Sequence, residues 1–214
     1  MTISHQLATL AGLGAATVYE ANGQRDALDP AIKPLDPHTK VAGRAVTVAL
    51  EPADNWYLHL ALLEAGENDI LVVDAQGYLN AGPWGDVLTL AAQQRGLAGL
   101  VIDGAVRDSQ QIITSGFPVF ARGLCIRKTS KVQPGRLNVA VTVGGVVVNP
   151  GDILVGDADG LVRVAAGDVA HAIDRAQARE QKEEQMRQQI LAGASTLDLL
   201  GLPHPDPPQL QPRP

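Results

Sequence analysis

Leu97-Ala-Gly-Leu-Val-Ile-Asp-Gly-Ala-Val-Arg107-Asp108 is the stretch that decides the fold. Leu97 to Ile102 is a short apolar run without polar alternation. That is the pattern of a strand buried on both faces, and a strand is covered on both faces when it lies parallel to its neighbours. Upstream, Asp86 to Arg95 has helical spacing. Downstream, Asp108 to Thr114 makes a short helix before Pro118-Val-Phe120. The same alternation extends toward the N-terminus. Val41 to Leu50 is a β-branched run, Trp56 to Glu64 is helical with Asp54 and Asn55 as caps, and Asp69 to Asp74 is again a strand. Two short helices precede this, within Ile3 to Gly23, and Asn22-Gly23 ends the second. Strands alternating with helices specify an α/β domain.

Beyond Arg122 the texture changes. Leu137 to Val143, Val146 to Asn149, Ile153 to Gly156 and Leu161 to Val164 read as short strands. Gly144-Gly145 and Asp157-Ala-Asp-Gly160 supply hairpin turns between them. Asn68-Asp-Ile-Leu-Val-Val-Asp-Ala-Gln-Gly77 is echoed by Gly151-Asp-Ile-Leu-Val-Gly-Asp-Ala-Asp-Gly160, one pair and so no repeat architecture. From Asp168 to Leu191 a charged helix carries opposite charges four residues apart, Arg179 with Glu183 and Glu183 with Arg187. Gly193 marks its end. One domain over residues 1–195 is expected, with a Pro-rich tail over residues 196–214 that packs into no element.

The hydrophobic share of 45% is ordinary and the aromatic share of 3% is low, so the core must be built from Val, Leu, Ile and Ala. A formal net charge of −6 leaves no overall basic surface for nucleic acid, so a small acidic ligand requires a local cationic pocket. Cys125 is the only cysteine, no apolar run is long enough for a membrane span, and no leader pattern opens the chain; a cytoplasmic protein is expected.

Two places offer chemistry. Trp84-Gly85-Asp86-Val87-Leu88 brings a glycine turn into a helix whose first amides lack intrahelical acceptors, a geometry that receives carboxylates. The plainer reading is that Asp86 only complements the helix dipole. Arg107-Asp108 follows the buried strand, at the carboxyl end where α/β sheets place ligands. Arg107 can hold a carboxylate or enolate oxygen, and Asp108 can offer an oxygen to a hard divalent cation. Alternatively Asp108 caps the next helix and Arg107 pairs with a nearby acid. A third candidate is the acidic set Glu180, Glu183 and Glu184 on the last helix, although a charged helix is usually a solvated face. Gly12-Leu-Gly14 lacks the preceding strand and third glycine of a dinucleotide or S-adenosylmethionine loop. The five histidines show no ligand spacing, no serine stands in a G-x-S-x-G elbow, and no lysine has a recognisable Schiff-base context.

Taken together, Ala42 to Val48 (A-G-R-A-V-T-V), Asp54 to His59 (D-N-x-x-x-H), Trp84 to Ala92, Gly99 to Asp108, Gly116 to Gly123 and Asn149 to Gly160 resemble the RraA-like family. That family includes aldolases for 4-hydroxy-4-methyl-2-oxoglutarate and 4-carboxy-4-hydroxy-2-oxoadipate. The resemblance runs from Leu7 to Gly193. It implies a three-layer β/β/α swivelling fold, like the phosphohistidine domain, assembled as a homotrimer or homohexamer. Gly85, Asp86, Val87 and Leu88 would bind the pyruvyl carboxylate, Arg107 the oxo oxygen, and Asp108 would ligate Mg2+ or Mn2+. The aldolases also use a glutamate from a neighbouring subunit's C-terminal helix, in an A-R-x-x-[NK]-E pattern. Ala178-Arg179-Glu-Gln-Lys182-Glu183 matches it and singles out Glu183.

The implied activity is pyruvate release from a 4-hydroxy-2-oxo acid, with oxaloacetate decarboxylation beside it. Asp86 and Glu183 would hold metal-bound waters, one of them the base, and Arg107 would stabilise the pyruvate enolate. The family's namesake implies a different class of function, protein inhibition of RNase E, which does not need the C-terminal glutamate. Arg44, Asn55 and Arg122 are candidate contacts for the departing half of the substrate.

Overall fold

The structure is a computed structural model and describes residues 2–204. The chain forms two compact units, Met1–Ala176 and Gln177–Pro214. The first opens with α1 (Ile3–Leu13) and α2 (Ala15–Ala21), followed by β1 (Lys33–Pro34), β2 (Val41–Ala49), α3 (Trp56–Glu64), β3 (Asp69–Tyr78), α4 (Asp86–Gln94), β4 (Gly99–Val106), α5 (Ser109–Ser115) and β5 (Val119–Leu124). Short strands follow: β6 (Arg136–Leu137), β7 (Val141–Val143), β8 (Val146–Val148), β9 (Ile153–Gly156) and β10 (Leu161–Val164). A long helix, α6 (Val169–Leu191), then runs from the first unit into the second.

The main sheet has the order β1-β5-β4-β3-β2-β9-β10, with β6 added to β2. Strands β2 to β5 are mutually parallel, and α3, α4 and α5 are their crossovers. The alternate residues of each strand separate two cores. Leu71, Val73, Leu100 and Ile102 face Leu58, Leu62, Leu88, Ala92 and Ile112 of the crossover helices. On the other face Ile70, Val72 and Val101 join Val141, Val143 and Val148 of the β7–β8 hairpin, so the layers are helix, large sheet and small sheet. The expected mixed α/β fold is what the structure shows, and all eight residues of β4 are buried, as its unbroken apolar start required.

Some boundaries differ from the sequence reading. Leu137 to Val143 is two strands, because Asn138 takes a positive φ of 53° and breaks the run, leaving β6 on β2 and turning β7 toward β8. Strand β3 continues past Asp74 to Tyr78 through a register shift at Gln76 and Gly77, both at positive φ. The echoed segments correspond in structure. Asp69 accepts a hydrogen bond from the Gly66 amide and pairs with Arg44, while Asp152 accepts one from the Asn149 amide and pairs with Arg163.

In the second unit, Arg187 contacts Glu180, Glu183 and Glu184, and Arg179 pairs with Glu183. The expected four-residue charge pairing is therefore present. Within the expected tail, Thr196–Leu199 forms a helical turn because Ser195 Oγ accepts the Asp198 amide. Residues 205–214, where the rest of the tail expectation falls, lie outside the described residues.

Candidate active site

A cleft of about 400 Å³ lies in the first unit, lined by Asn55, His59, Gly82, Pro83, Gly85, Asp86, Val87, Leu88, Arg107, Lys128, Thr129 and Lys131. All these residues come from the segments that follow β2, β3, β4 and β5, so the cleft opens at the carboxyl ends of the four parallel strands. The sequence placed a ligand there from one strand; the structure adds its three parallel neighbours.

The turn into α4 is anchored by Trp84. Its indole is fully buried, stacks on Phe117 and donates from Nε1 to Thr89 Oγ1 at 2.8 Å. Burying a ring of this size contributes on the order of 3 kcal/mol, enough to fix a turn. Thr89 N–H donates to Gly85 O at 3.0 Å, the first intrahelical bond, so the amides of Asp86, Val87 and Leu88 have no acceptor within the helix. The Arg107 amide donates to Trp84 O at 2.9 Å and joins the two motifs directly. Gly85 is required by proximity rather than by its backbone angles: a Cβ there would collide with the Asp108 carboxylate and press on Arg107.

The plainer alternatives can now be judged. Asp86 Oδ1 accepts from the Val87 amide at 2.8 Å, so Asp86 does complement its own helix and occupies one of the turn amides. Asp108 does not cap α5 with its side chain, although it holds the N-cap position. Its carboxylate turns back instead, with Oδ2 3.3 Å from both the Asp86 amide and Arg107 Nε. Asp108 also sits in the left-handed region at φ 57°, a conformation costing about 1 kcal/mol or more in a residue other than glycine. The carboxylate is thus aimed at the turn at some cost in backbone energy.

The structure brings Gly85, Asp86, Val87, Leu88, Arg107 and Asp108 together. Glu183 belongs to the other unit, where its carboxylate is 2.7 Å from Arg179. Of the three contacts suggested for a departing group, only Asn55 lines the cleft. Arg44 is committed to Asp69, and Arg122 to Asp103 at 2.6 Å and Asp29 at 2.9 Å. Asn55 Nδ2 donates to Pro83 O at 2.8 Å, while its buried Oδ1 has no partner. An unpaired acceptor on a cleft wall fits a ligand hydroxyl.

His59, Lys128 and Lys131 also line the cleft, and the sequence reading did not single them out. His59 is one turn beyond Asn55 on α3, and Lys128 and Lys131 form a basic run after β5; either spacing is visible in the sequence once the strand order is known. Partial desolvation, and then the neighbouring Lys131 charge, hold the His59 imidazole below its ordinary pKa of 6.5, which favours the uncharged ring. Among the lining residues Arg107, Lys128 and Lys131 face a single acid, Asp86. This is a local cationic pocket in a chain of net charge −6.

Among the described residues no group of three His, Cys, Asp or Glu side chains could hold a metal ion. A donor set of one carboxylate beside a second suits a hard ion such as Mg2+ or Mn2+. Such ions keep several waters and take one or two protein oxygens together with substrate oxygens, and Asp108 with Asp86 fits that requirement. No helix among the described residues is long and apolar enough to cross a membrane.

The sequence profile of the RraA-like family, Aldolase/RraA, matches residues 15–163. A Halalkalibacterium halodurans protein provisionally named 4-hydroxy-4-methyl-2-oxoglutarate aldolase is 36% identical over 165 residues, covering 77% of this chain and 78% of its own. The crystal structure of an uncharacterised Pseudomonas syringae protein superposes with a TM-score of 0.80 at 28% identity, over 90% of this chain and 94% of that one. Streptomyces coelicolor RraAS2, an unusual member of the RNase ES inhibitor RraA family, gives 0.78 at 29% identity, over 88% and 100% of the two chains.

Proposed function

The chain belongs to the RraA-like family, and on that premise we propose that it is a divalent-metal-dependent carbon–carbon lyase that releases pyruvate from a 4-hydroxy-2-oxo acid. The substrates in view are 4-hydroxy-4-methyl-2-oxoglutarate and 4-carboxy-4-hydroxy-2-oxoadipate, with oxaloacetate decarboxylation as a side reaction. The observation that carries this reading is the junction of Arg107-Asp108 with the α4 turn inside a cationic cleft. The name of the Halalkalibacterium relative agrees with it.

In this reading the turn amides of Asp86 to Leu88 receive the substrate carboxylate, with Asp86 Oδ1 giving up its bond to the Val87 amide. Arg107 donates to the 2-oxo oxygen and stabilises the negative charge that develops there when the bond between carbons 3 and 4 breaks. Asp108 would hold Mg2+ or Mn2+ directly, with Asp86 and a neighbouring subunit's Glu183 acting through water, in a homotrimer or homohexamer. When bound, the ion supplies Lewis-acid polarisation of the oxo group. Asp86 and Glu183 position the water that takes the proton from the C4 hydroxyl.

The test is release of pyruvate from oxaloacetate and from 4-hydroxy-4-methyl-2-oxoglutarate, above the background given by Mg2+ or Mn2+ alone. Turnover of both is expected. No release above background, together with inhibition of RNase E by the purified protein, would replace the lyase with the inhibitor reading that the Streptomyces relative's name suggests.

Gly85→Ala gives a sharper local check. Its φ of −152° is open to alanine, so the added methyl acts only by displacing Asp108 and Arg107. A loss of about tenfold or more in kcat/KM is expected with the melting temperature nearly unchanged, since small misplacements of reacting groups are costly. Unchanged kcat/KM would show that the position of the Asp108 carboxylate is immaterial.

A further inference from the structure

A second cleft, of about 360 Å³, shares no lining residue with the first. It is built on one row across the main sheet, in which Arg136 lies opposite Ala49, Ala49 opposite Asp74, and Asp74 opposite Asp103. Residues opposite each other on paired strands present their side chains to the same face. Here it is the face of the small sheet, because Val72, two residues before Asp74, packs there. At one end of the row acid and base meet: Asp103 accepts from Arg122 Nε at 2.6 Å and from the Gly144 amide at 2.8 Å. At the other end they do not. Ala49 stands between Arg136 and Asp74, and two strand spacings hold their backbones about 10 Å apart. Among the described residues neither Arg136 nor Glu51, which also lines this cleft, is in an ion pair. The walls are nevertheless fixed. A Cβ on Gly135 would collide with Ala49 O and press on the Tyr57 ring, so the segment bearing Arg136 lies tight against β2. Gln76 donates its amide to Asp74 Oδ1 at 2.9 Å and its Nε2 to Leu50 O at 3.0 Å, which leaves Asp74 Oδ2 and Gln76 Oε1 as acceptors.

We propose that this second cleft binds a small amino acid as its zwitterion, the carboxylate on Arg136 and the ammonium group facing Asp74 and Glu51. A guanidinium takes a carboxylate through two parallel hydrogen bonds. An ammonium group has three donors, and Asp74, Glu51 and Gln76 offer acceptors for them. A plain carboxylate would face two like charges, and a plain amine or a metal cation would be repelled by Arg136. A ligand with both ends matches both walls. The small Ala49 side chain leaves the floor between them clear. The inference is independent of the lyase reading.

The experiment is calorimetric titration with glycine, 4-aminobutanoate and 6-aminohexanoate, three spans between the charged ends, against butanoate and butylamine, which each lack one end. The best of the amino acids is expected to bind about tenfold or more tightly than either control, and Arg136→Gln and Asp74→Asn each to weaken it about tenfold. Arg136 is exposed and in no ion pair among the described residues, so Arg136→Gln should melt where the wild type does. Glu51→Gln, at another exposed position, provides a second probe of the acidic wall should Asp74→Asn loosen the Gln76 turn. Amino acids that bind no more tightly than butanoate or butylamine, or equally well to Arg136→Gln, would overturn the proposal. Weakened self-association of Arg136→Gln without any amino-acid binding would also overturn it, and would assign the cleft to a contact between copies. Because the readout is binding, the result stands whether or not the protein releases pyruvate.

Discussion

Treatment with EDTA followed by desalting is expected to abolish pyruvate release, and Mg2+ or Mn2+ to restore it. The argument starts from the charge that must be stabilised. Cleavage leaves an enolate, and the described side chains at the turn offer one guanidinium, Arg107, to stabilise it. One positioned donor contributes a factor of about 10² to 10³ in rate, well short of what carbon–carbon cleavage demands. In the proposed reaction the remainder would come from a cation held by Asp108, whose carboxylate is turned away from the helix it could have capped. Turnover that survives complete removal of divalent ions, verified by elemental analysis, would defeat the proposed chemistry.

Arg107→Ala is the second large effect. A loss of about 10² to 10³ in kcat is expected, with a smaller change in KM, because the bond to the oxo oxygen strengthens as charge develops. Arg107→Lys should recover little, since an ammonium cannot reproduce the planar fork. The side chain is 40% exposed and, among the described residues, its only ion pair is with Asp108, so folding should be nearly untouched. An activity loss matched by a large fall in melting temperature would mean that Arg107 supports the fold rather than the reaction.

The parallel sheet was legible because β3 and β4 each begin with an apolar run that does not alternate with polar residues, Ile70 to Val73 and Leu100 to Ile102, and a polar residue cannot be buried on either face of such a run without a partner. The α4 turn and the Arg107-Asp108 pair were legible because each is a contiguous motif at the end of a predicted strand. Asp108's orientation was not, since nothing in the sequence distinguishes a capping carboxylate from one held in the left-handed region and facing backward. The lysine end was harder still. The segment that carries Lys128 and Lys131 is held in part by the Asp54 carboxylate, which accepts from the Val132 and Gln133 amides 78 and 79 residues away, a pairing that depends on β2 and β5 emerging at the same edge. Arg44 and Arg122 illustrate the opposite error. They looked like ligand contacts, yet each answers a carboxylate that the sheet brings to it.

The two echoed segments bear on how such a protein can diversify. Their aspartates, Asp69 and Asp152, are buried and tied to Arg44 and Arg163, and removing either arginine would leave a buried carboxylate without its cation. Strand register is thereby set away from the carboxyl-end loops that build the cleft. Those loops can accept substitutions without shifting the sheet. Changes in those few turns can then alter what the cleft accepts while the frame beneath them stays as it is.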